Sequence, residues 1–144
     1  MPPKARRPDL AAMLAPLIRR LIADEGPVLA AHQVSMWGYS VLCALDEAPV
    51  RTQAALAEAI GADKTRIIAT LDELQDKGYI ERRPDPADRR VRLLAITEVG
   101  RALKDAVQTE IQRGEERYLS VLSATERRVF LRALHEMTRV DDTP

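Results

Sequence analysis

The sequence predicts a mainly α-helical chain carrying one small β-hairpin. Three observations lead there. Ala, Leu and Arg are plentiful while aromatic residues make up only 3% of 144 residues, a balance that favours helices over a β-sandwich. Apolar positions recur at i, i+3, i+4 and i+7 along several stretches, the mark of amphipathic helices. Residues 79–96 break that period, with two short strand-like runs flanking a cluster of turn formers. At 46% hydrophobic the chain is long enough for one domain with a real core, and not comfortably for two.

Charge narrows the functional classes less than usual. The 22 basic and 22 acidic residues cancel to +0, so any nucleic-acid role has to rest on local placement rather than on bulk charge. Basic side chains do cluster, at Lys4, Arg6 and Arg7 and again at Arg82, Arg83, Arg89, Arg90 and Arg92, the second group interleaved with Glu81, Asp85 and Asp88. No run of about 18 apolar residues could cross a bilayer, and the opening MPPKARRPD lacks the apolar segment of a secretory signal. A soluble, cytoplasmic protein without membrane contact is expected. The single cysteine, Cys43, cannot form an internal disulfide or a cysteine-based zinc cluster. There is no Gly-rich phosphate loop, GxSxG or HExxH, and His32 and His135 are the only histidines. The expectation is therefore no enzyme, no catalytic residues, no metal and no cofactor.

Residues 1–8 hold three prolines and three basic side chains with little apolar surface, and read as a flexible basic arm. From Leu10 the positions Leu10, Met13, Leu14, Leu17, Ile18, Leu21 and Ile22 form one helical stripe. Pro16 removes an N–H and crowds the turn below it, so a kink or a restart is expected there, and Gly26-Pro27 is expected to stop the helix. A second helix covers Ser35 to Glu47, with Val41, Leu42 and Leu45 facing the core and Pro49 ending it. His32, Trp37 and Tyr39 fall in and just before it. They read either as packing or interface residues or as the lining of a pocket for a small aromatic effector, which needs flat apolar walls and a few polar groups. Cys43, mid-helix among apolar residues, reads as a small buried hydrophobe rather than a redox sensor.

The segment that organises the chain begins at Thr52, a good N-cap. Leu56, Ala57 and Ile60 mark the buried face of a short helix, and Gly61 can leave it in the left-handed conformation. Asp63 can then cap a second helix that runs to about Lys77 and ends at Gly78, with Ile67, Leu71 and Leu74 spaced to pack on its predecessor. Helix, short Gly-containing turn, helix is the arrangement that lays its second element in a DNA major groove. The first turn then faces the bases, which singles out Lys64, Thr65 and Arg66. Beyond it, Tyr79 to Arg83 and Val91 to Ile96 read as strands joined by Pro84-Asp85-Pro86-Ala87-Asp88-Arg89-Arg90, a hairpin with a basic tip. A long arginine at such a tip can enter the minor groove while its neighbours touch phosphate. Asp88 is expected to pair with a nearby arginine and shape the tip. The alternative is a solvated surface hairpin whose charges pair with one another.

Taken together, these residues resemble the MarR family of bacterial winged helix-turn-helix regulators. The family's wing has Asp, Arg two residues on, and a strand closing on Leu-Thr and a Gly. Here that pattern reads Asp88, Arg90, Ile96-Thr97 and Gly100, followed by Arg101 and Leu103. Leu74, Gly78, Tyr79-Ile80 and Arg82 match the family's pattern at the preceding helix end. The resemblance implies a homodimer on a near-palindromic operator in double-stranded DNA, usually a repressor, often released by a small, frequently phenolic ligand. It would make Lys64, Thr65 and Arg66 base or phosphate contacts and give the wing contact to Arg90 with Arg89, and Arg92 belongs to the same basic hairpin. Ile68 and Ala69 stand where relatives commonly have Ser and Arg, so the operator cannot be borrowed from a relative. The competing reading is a winged-helix module that binds a protein partner without sequence-specific DNA binding.

The remaining residues suit a dimer. Thr97 can cap a long helix to about Leu119, with Leu103, Val107, Ile111, Tyr118 and Leu122 at roughly helical spacing and Gly114 loosening it. Ser123-Ala-Thr-Glu126 is a capping box for a last helix carrying Val129, Phe130, Ala133, Leu134 and Met137 on one side. These faces and the first helix offer more apolar surface than a small winged helix can cover, and pairing them across a two-fold axis would bury it. The alternative is packing within one chain only. The expected organisation is an arm over 1–8 and a single domain over 9–144, in which 51–97 form the winged helix-turn-helix and 9–25 and 98–140 the dimerisation helices.

Overall fold

Each predicted helix is present in the computed structural model, which describes residues 6–140. The order is α1 (Leu10–Ala31), α2 (Met36–Glu47), α3 (Gln53–Ile60), α4 (Lys64–Asp76), β1 (Ile80–Pro84), β2 (Arg92–Ile96), α5 (Glu98–Leu119) and α6 (Ala124–Thr138). Residues 1–5 of the expected basic arm, Lys4 among them, lie outside the described residues; Arg6, Arg7 and Pro8 are exposed. The described residues fall into two compact units, one ending at Ile111 and one beginning at Gln112.

The helix starts follow their capping residues. Ser35 accepts a hydrogen bond from the Gly38 N–H at 2.9 Å, Thr52 from Ala55 at 3.0 Å and Asp63 from Arg66 at 2.8 Å. Each satisfies one of the amide donors that a helix leaves free at its N-terminus. Gly61 ends α3 with φ 70°, the left-handed conformation that a residue without Cβ adopts at no steric cost. One expectation fails: α1 does not stop at Gly26-Pro27 or restart at Pro16, but runs through both prolines as one helix to Ala31. Each proline removes only one backbone bond. The turn beyond Pro27 is held by burial of Leu29, by Val28 packed against the core, and by the Val34 N–H on the Leu29 carbonyl at 3.1 Å. Gly114 likewise does not interrupt α5.

In the first unit the core gathers Val41, Leu42 and Leu45 of α2, Leu56 of α3, Ile67, Leu71 and Leu74 of α4, Ile80 and Leu94 of the hairpin, and Val107 of α5. The helical members of this set are positions that the helical period selected, and the hairpin adds Ile80 and Leu94. β1 and β2 pair antiparallel, from Ile80 opposite Ile96 to Pro84 opposite Arg92. Val50 adds a short bridge on the far side of β2, exchanging both backbone bonds with Leu94 at 3.0 and 2.8 Å. The hairpin is thereby anchored on both sides of its second strand. Gly100 lies so close to Tyr79 that a Cβ there would stand 2.1 Å from the Tyr79 carbonyl oxygen. Thr97 completes this junction, donating from its hydroxyl to the Gly78 carbonyl at 2.7 Å and accepting from the Gly100 N–H at 3.0 Å.

The second unit is built differently. Its helix start is as well made as any, because Ser123 and Glu126 form the expected reciprocal capping box. A two-pronged ion pair between Arg127 and Glu116, at 2.6 and 2.8 Å, ties the end of α5 to the start of α6. Yet α6 has no buried residue.

Candidate nucleic-acid interface

The residues selected as DNA contacts are all solvent-facing. Lys64, Thr65 and Arg66 form the first turn of α4 and are exposed, as are Arg89 and Arg90 at the hairpin tip and Arg92 at the start of β2. The α4 turn owes its placement to its opposite face, where Ile67, Thr70, Leu71 and Leu74 are buried and leave the charged first turn in water. Ile68, which departs from the family pattern, is 49% exposed on that surface. Its side chain is apolar and adds no hydrogen-bonding group to that surface.

Asp88 and Arg90 make the pair that the sequence suggested. The Asp88 carboxylate accepts from the Arg90 backbone N–H and Nε, both at 3.1 Å, and from Nη2 at 3.3 Å. These bonds hold the Asp88 carboxyl below its usual range, the Arg90 side-chain bond contributing most. The Arg90 side chain remains 91% exposed, so the pair orients the guanidinium without covering it.

A second aspartate holds the tip from inside, and sequence reasoning missed its role. Asp85 is 6% exposed, accepts from the Ala87 N–H at 2.9 Å and pairs with Arg51 at 2.8 Å. The local half was legible, since Asp two residues before an N–H is the Asx-turn pattern. Arg51, remote in sequence and just before the α3 cap, carried no signal. Another unforeseen cluster joins α2 to α5: Asp46 pairs with Arg101 at 2.7 Å and with Lys104 at 2.6 Å, and Lys104 also meets Asp105 at 2.7 Å. Lys104 is buried, its ammonium compensated by two carboxylates. Its bond to Lys104 and then that to Arg101 push the Asp46 carboxyl below its usual range.

Each of the three residues considered for an effector pocket has an identifiable neighbour. His32 caps the C-terminus of α1, with Nε2 3.4 Å from Glu110. Trp37 is half-buried, and the Arg66 guanidinium lies 5.8 Å from its ring centre. Tyr39 borders an open hollow of 530 Å³ with Ser40, Cys43, Ala44, Val50 and Ile60. Burial pushes the Cys43 thiol up from its usual value, against a smaller opposing effect of the Tyr39 hydrogen bond. Cys43 is half-buried at the edge of that hollow rather than fully buried as expected. Among the described residues no group of three or more His, Cys, Asp or Glu could hold a metal ion. No single helix among them is long and apolar enough to cross a membrane.

Comparison with known proteins gives this geometry a context. A family model described as the MarR family matches residues 32–91. The HTH-type transcriptional repressor NicR of Pseudomonas putida is 31% identical over 110 residues, which cover 76% of this chain and 70% of NicR. The chain belongs to the MarR family of winged helix-turn-helix transcriptional regulators. Structures of the regulator CouR resemble it along almost its whole length. CouR from Rhodococcus jostii RHA1 bound to p-coumaroyl-CoA superposes with a TM-score of 0.77 at 26% identity, covering 94% of this chain and 96% of CouR. CouR bound to a 23-mer DNA duplex gives a TM-score of 0.72 at 30% identity, covering 91% and 93%. The MarR fold thus accounts for both the winged segment and the flanking helices.

Proposed function

We propose that this chain is a homodimeric, sequence-specific DNA-binding regulator that represses transcription from a near-palindromic operator and is released by a small aromatic effector. The observation that carries the reading is the wing tip, where Asp88 orients an Arg90 guanidinium that stays exposed. Such a group can enter a minor groove, where negative potential is concentrated. In the same reading Lys64, Thr65 and Arg66 reach base edges or phosphates from the major groove, and Arg89 and Arg92 lie along the backbone. The duplex-bound CouR, alike over 91% of this chain, supports that role for double-stranded DNA. The protein works in the cytoplasm as a regulator rather than an enzyme. Residues 9–144 act as a single domain, 51–97 reading DNA and 9–25 with 98–140 pairing two copies.

The exposed apolar side chains support the dimer. Met13 and Ile22 on α1 are 54% and 50% exposed, and Val129 and Met137 on α6 are 49% and 51% exposed. A second copy would cover them. For the effector, the CouR complex with p-coumaroyl-CoA supports an aromatic acyl compound as the class. Of the three residues first considered, Tyr39 lines an open hollow of 530 Å³, roomy enough to take a ring.

An electrophoretic shift with DNA flanking the gene tests the reading. Wild-type protein should shift it, the affinity should fall steeply as salt rises, and Arg90→Ala should weaken it at least tenfold, on the order of a lost specific contact. No wild-type shift at low salt would sink the proposal. Hydroxylated aromatic acids and their acyl thioesters added to the shifted complex should release the DNA; an unchanged shift across the panel removes the effector from the reading.

A further inference from the structure

Arg66 and Trp37 come from separate helices, and their meeting has a consequence for DNA reading. Arg66 is the third residue of α4, Trp37 the second of α2, and the guanidinium lies over the indole at 5.8 Å from the ring centre. The contact is set by close helix packing. Gly38, next to Trp37, is buried beside α4, and a Cβ there would lie 3.5 Å from Leu74 and 3.1 Å from the Ser35 hydroxyl. The α4 backbone around Arg66 is itself held, its N–H by Asp63 and its carbonyl by the Thr70 hydroxyl at 3.1 Å.

The arginines of this surface are restrained in different ways. Arg90 and Arg51 are each paired with a carboxylate, which orients the group but also offsets its charge. Arg66 has no carboxylate within ion-pair distance among the described residues, and the face of Trp37 is its neighbour. An aromatic face attracts a guanidinium through its quadrupole and limits its rotamers while leaving the full positive charge and the in-plane N–H donors free. Those donors are what a guanine edge or a phosphate needs. Holding them in place beforehand reduces the ordering entropy lost on binding.

We propose that Trp37 is a positioning residue for DNA readout: its indole face pre-orients the Arg66 guanidinium in the first turn of the recognition helix. This rests on the reading of α4 as the groove-entering element. It also moves Trp37 out of the effector pocket and into the DNA-reading apparatus.

A double-mutant cycle on DNA affinity tests it, with thermal melting to confirm that each variant is folded. Trp37→Leu keeps apolar bulk without a π face and should weaken specific binding about three- to tenfold, the range expected for a cation–π contact of this kind. Trp37→Phe keeps a face and should stay within about threefold of wild type. In an Arg66→Ala background Trp37→Leu should have little further effect. The salt dependence should be unchanged in Trp37→Leu, whose charges are intact, and lower by about one counterion in Arg66→Ala. Because Trp37 is the only tryptophan, its fluorescence should change when DNA engages Arg66 and much less so in Arg66→Ala. Wild-type binding with additive losses from the two substitutions, or equal losses from Leu and Phe, overturns the role of Trp37 alone. Failure of the wild-type protein to bind DNA overturns the DNA reading and this proposal with it.

Discussion

The winged segment and the last helix have similar local chemistry and opposite fates. Both begin on well-formed caps, Thr52 and Asp63 in one and the Ser123–Glu126 box in the other, and both carry an apolar stripe at helical spacing. In the winged segment that stripe is consumed within the chain: Leu56, Ile67, Leu71 and Leu74 are all 3% exposed or less. On α6 no residue is buried, and Val129 and Met137 stay about half exposed. The difference teaches that an amphipathic pattern states only that a face needs covering. Whether the cover comes from the same chain or from another is decided by which elements tertiary packing brings within reach.

Five variants break or sharpen this contrast. The largest expected effect is on the consumed stripe, where Leu56→Ala should lower unfolding free energy by about 2–5 kcal/mol in chemical denaturation. Charges placed on the unconsumed one, Val129→Asp with Met137→Asp, should instead leave a folded chain that sediments as a monomer where wild type sediments as a dimer. A dimeric double variant would remove α6 from the interface.

Gly100→Ala comes next. A methyl group aimed at a backbone carbonyl forces α5 away from Tyr79, and a loss of about 1–3 kcal/mol is expected in thermal melting. An unchanged melting temperature would mean that the junction yields freely.

Asp46→Asn should cost about 1–2 kcal/mol, because the Lys104 ammonium keeps only Asp105 as a carboxylate partner. The same pair makes a pH prediction. The Asp46 carboxyl is held below its ordinary value in the folded chain, so its contribution is fully present above about pH 4, the unfolded value. It is lost as pH falls through the depressed folded value. Melting curves of wild type and Asp46→Asn should therefore differ at neutral pH and converge in acid; a constant gap argues against the linkage.

The smallest effect has the opposite sign. Gly114→Ala lies in the exposed C-terminal third of α5, where a Cβ meets nothing, and should stabilise by about 0.5–1 kcal/mol. A loss there would show that this face of α5 is covered in the assembled protein.

Much of the architecture was legible because it depends on neighbours in sequence. The caps, the left-handed Gly61, the capping box and the core positions of α2 to α4 all follow from bonds or spacings within a few residues. The Asp88–Arg90 pair belongs with them, being two residues apart. The extent of α1 was not legible, since two prolines are local breaking signals and the burial of Leu29 that outweighs them is not local. The Arg51–Asp85 anchor and the Asp46–Lys104 pair were invisible for the same reason. The neighbours of His32, Trp37 and Tyr39, namely Glu110, Arg66 and the Cys43 hollow, were likewise not legible, because each lies on another element or depends on packing.

By itself, then, the sequence determined the order of helices and hairpin, the identity of the core stripe, the pair at the wing tip and the family, all through short-range hydrogen bonding and hydrophobic period. Tertiary structure alone decided which charges meet across helices, that Gly100 must lack a side chain, and that Arg66 rests on an indole face. Those contacts join residues far apart in sequence, and only the packed core sets the distances between them.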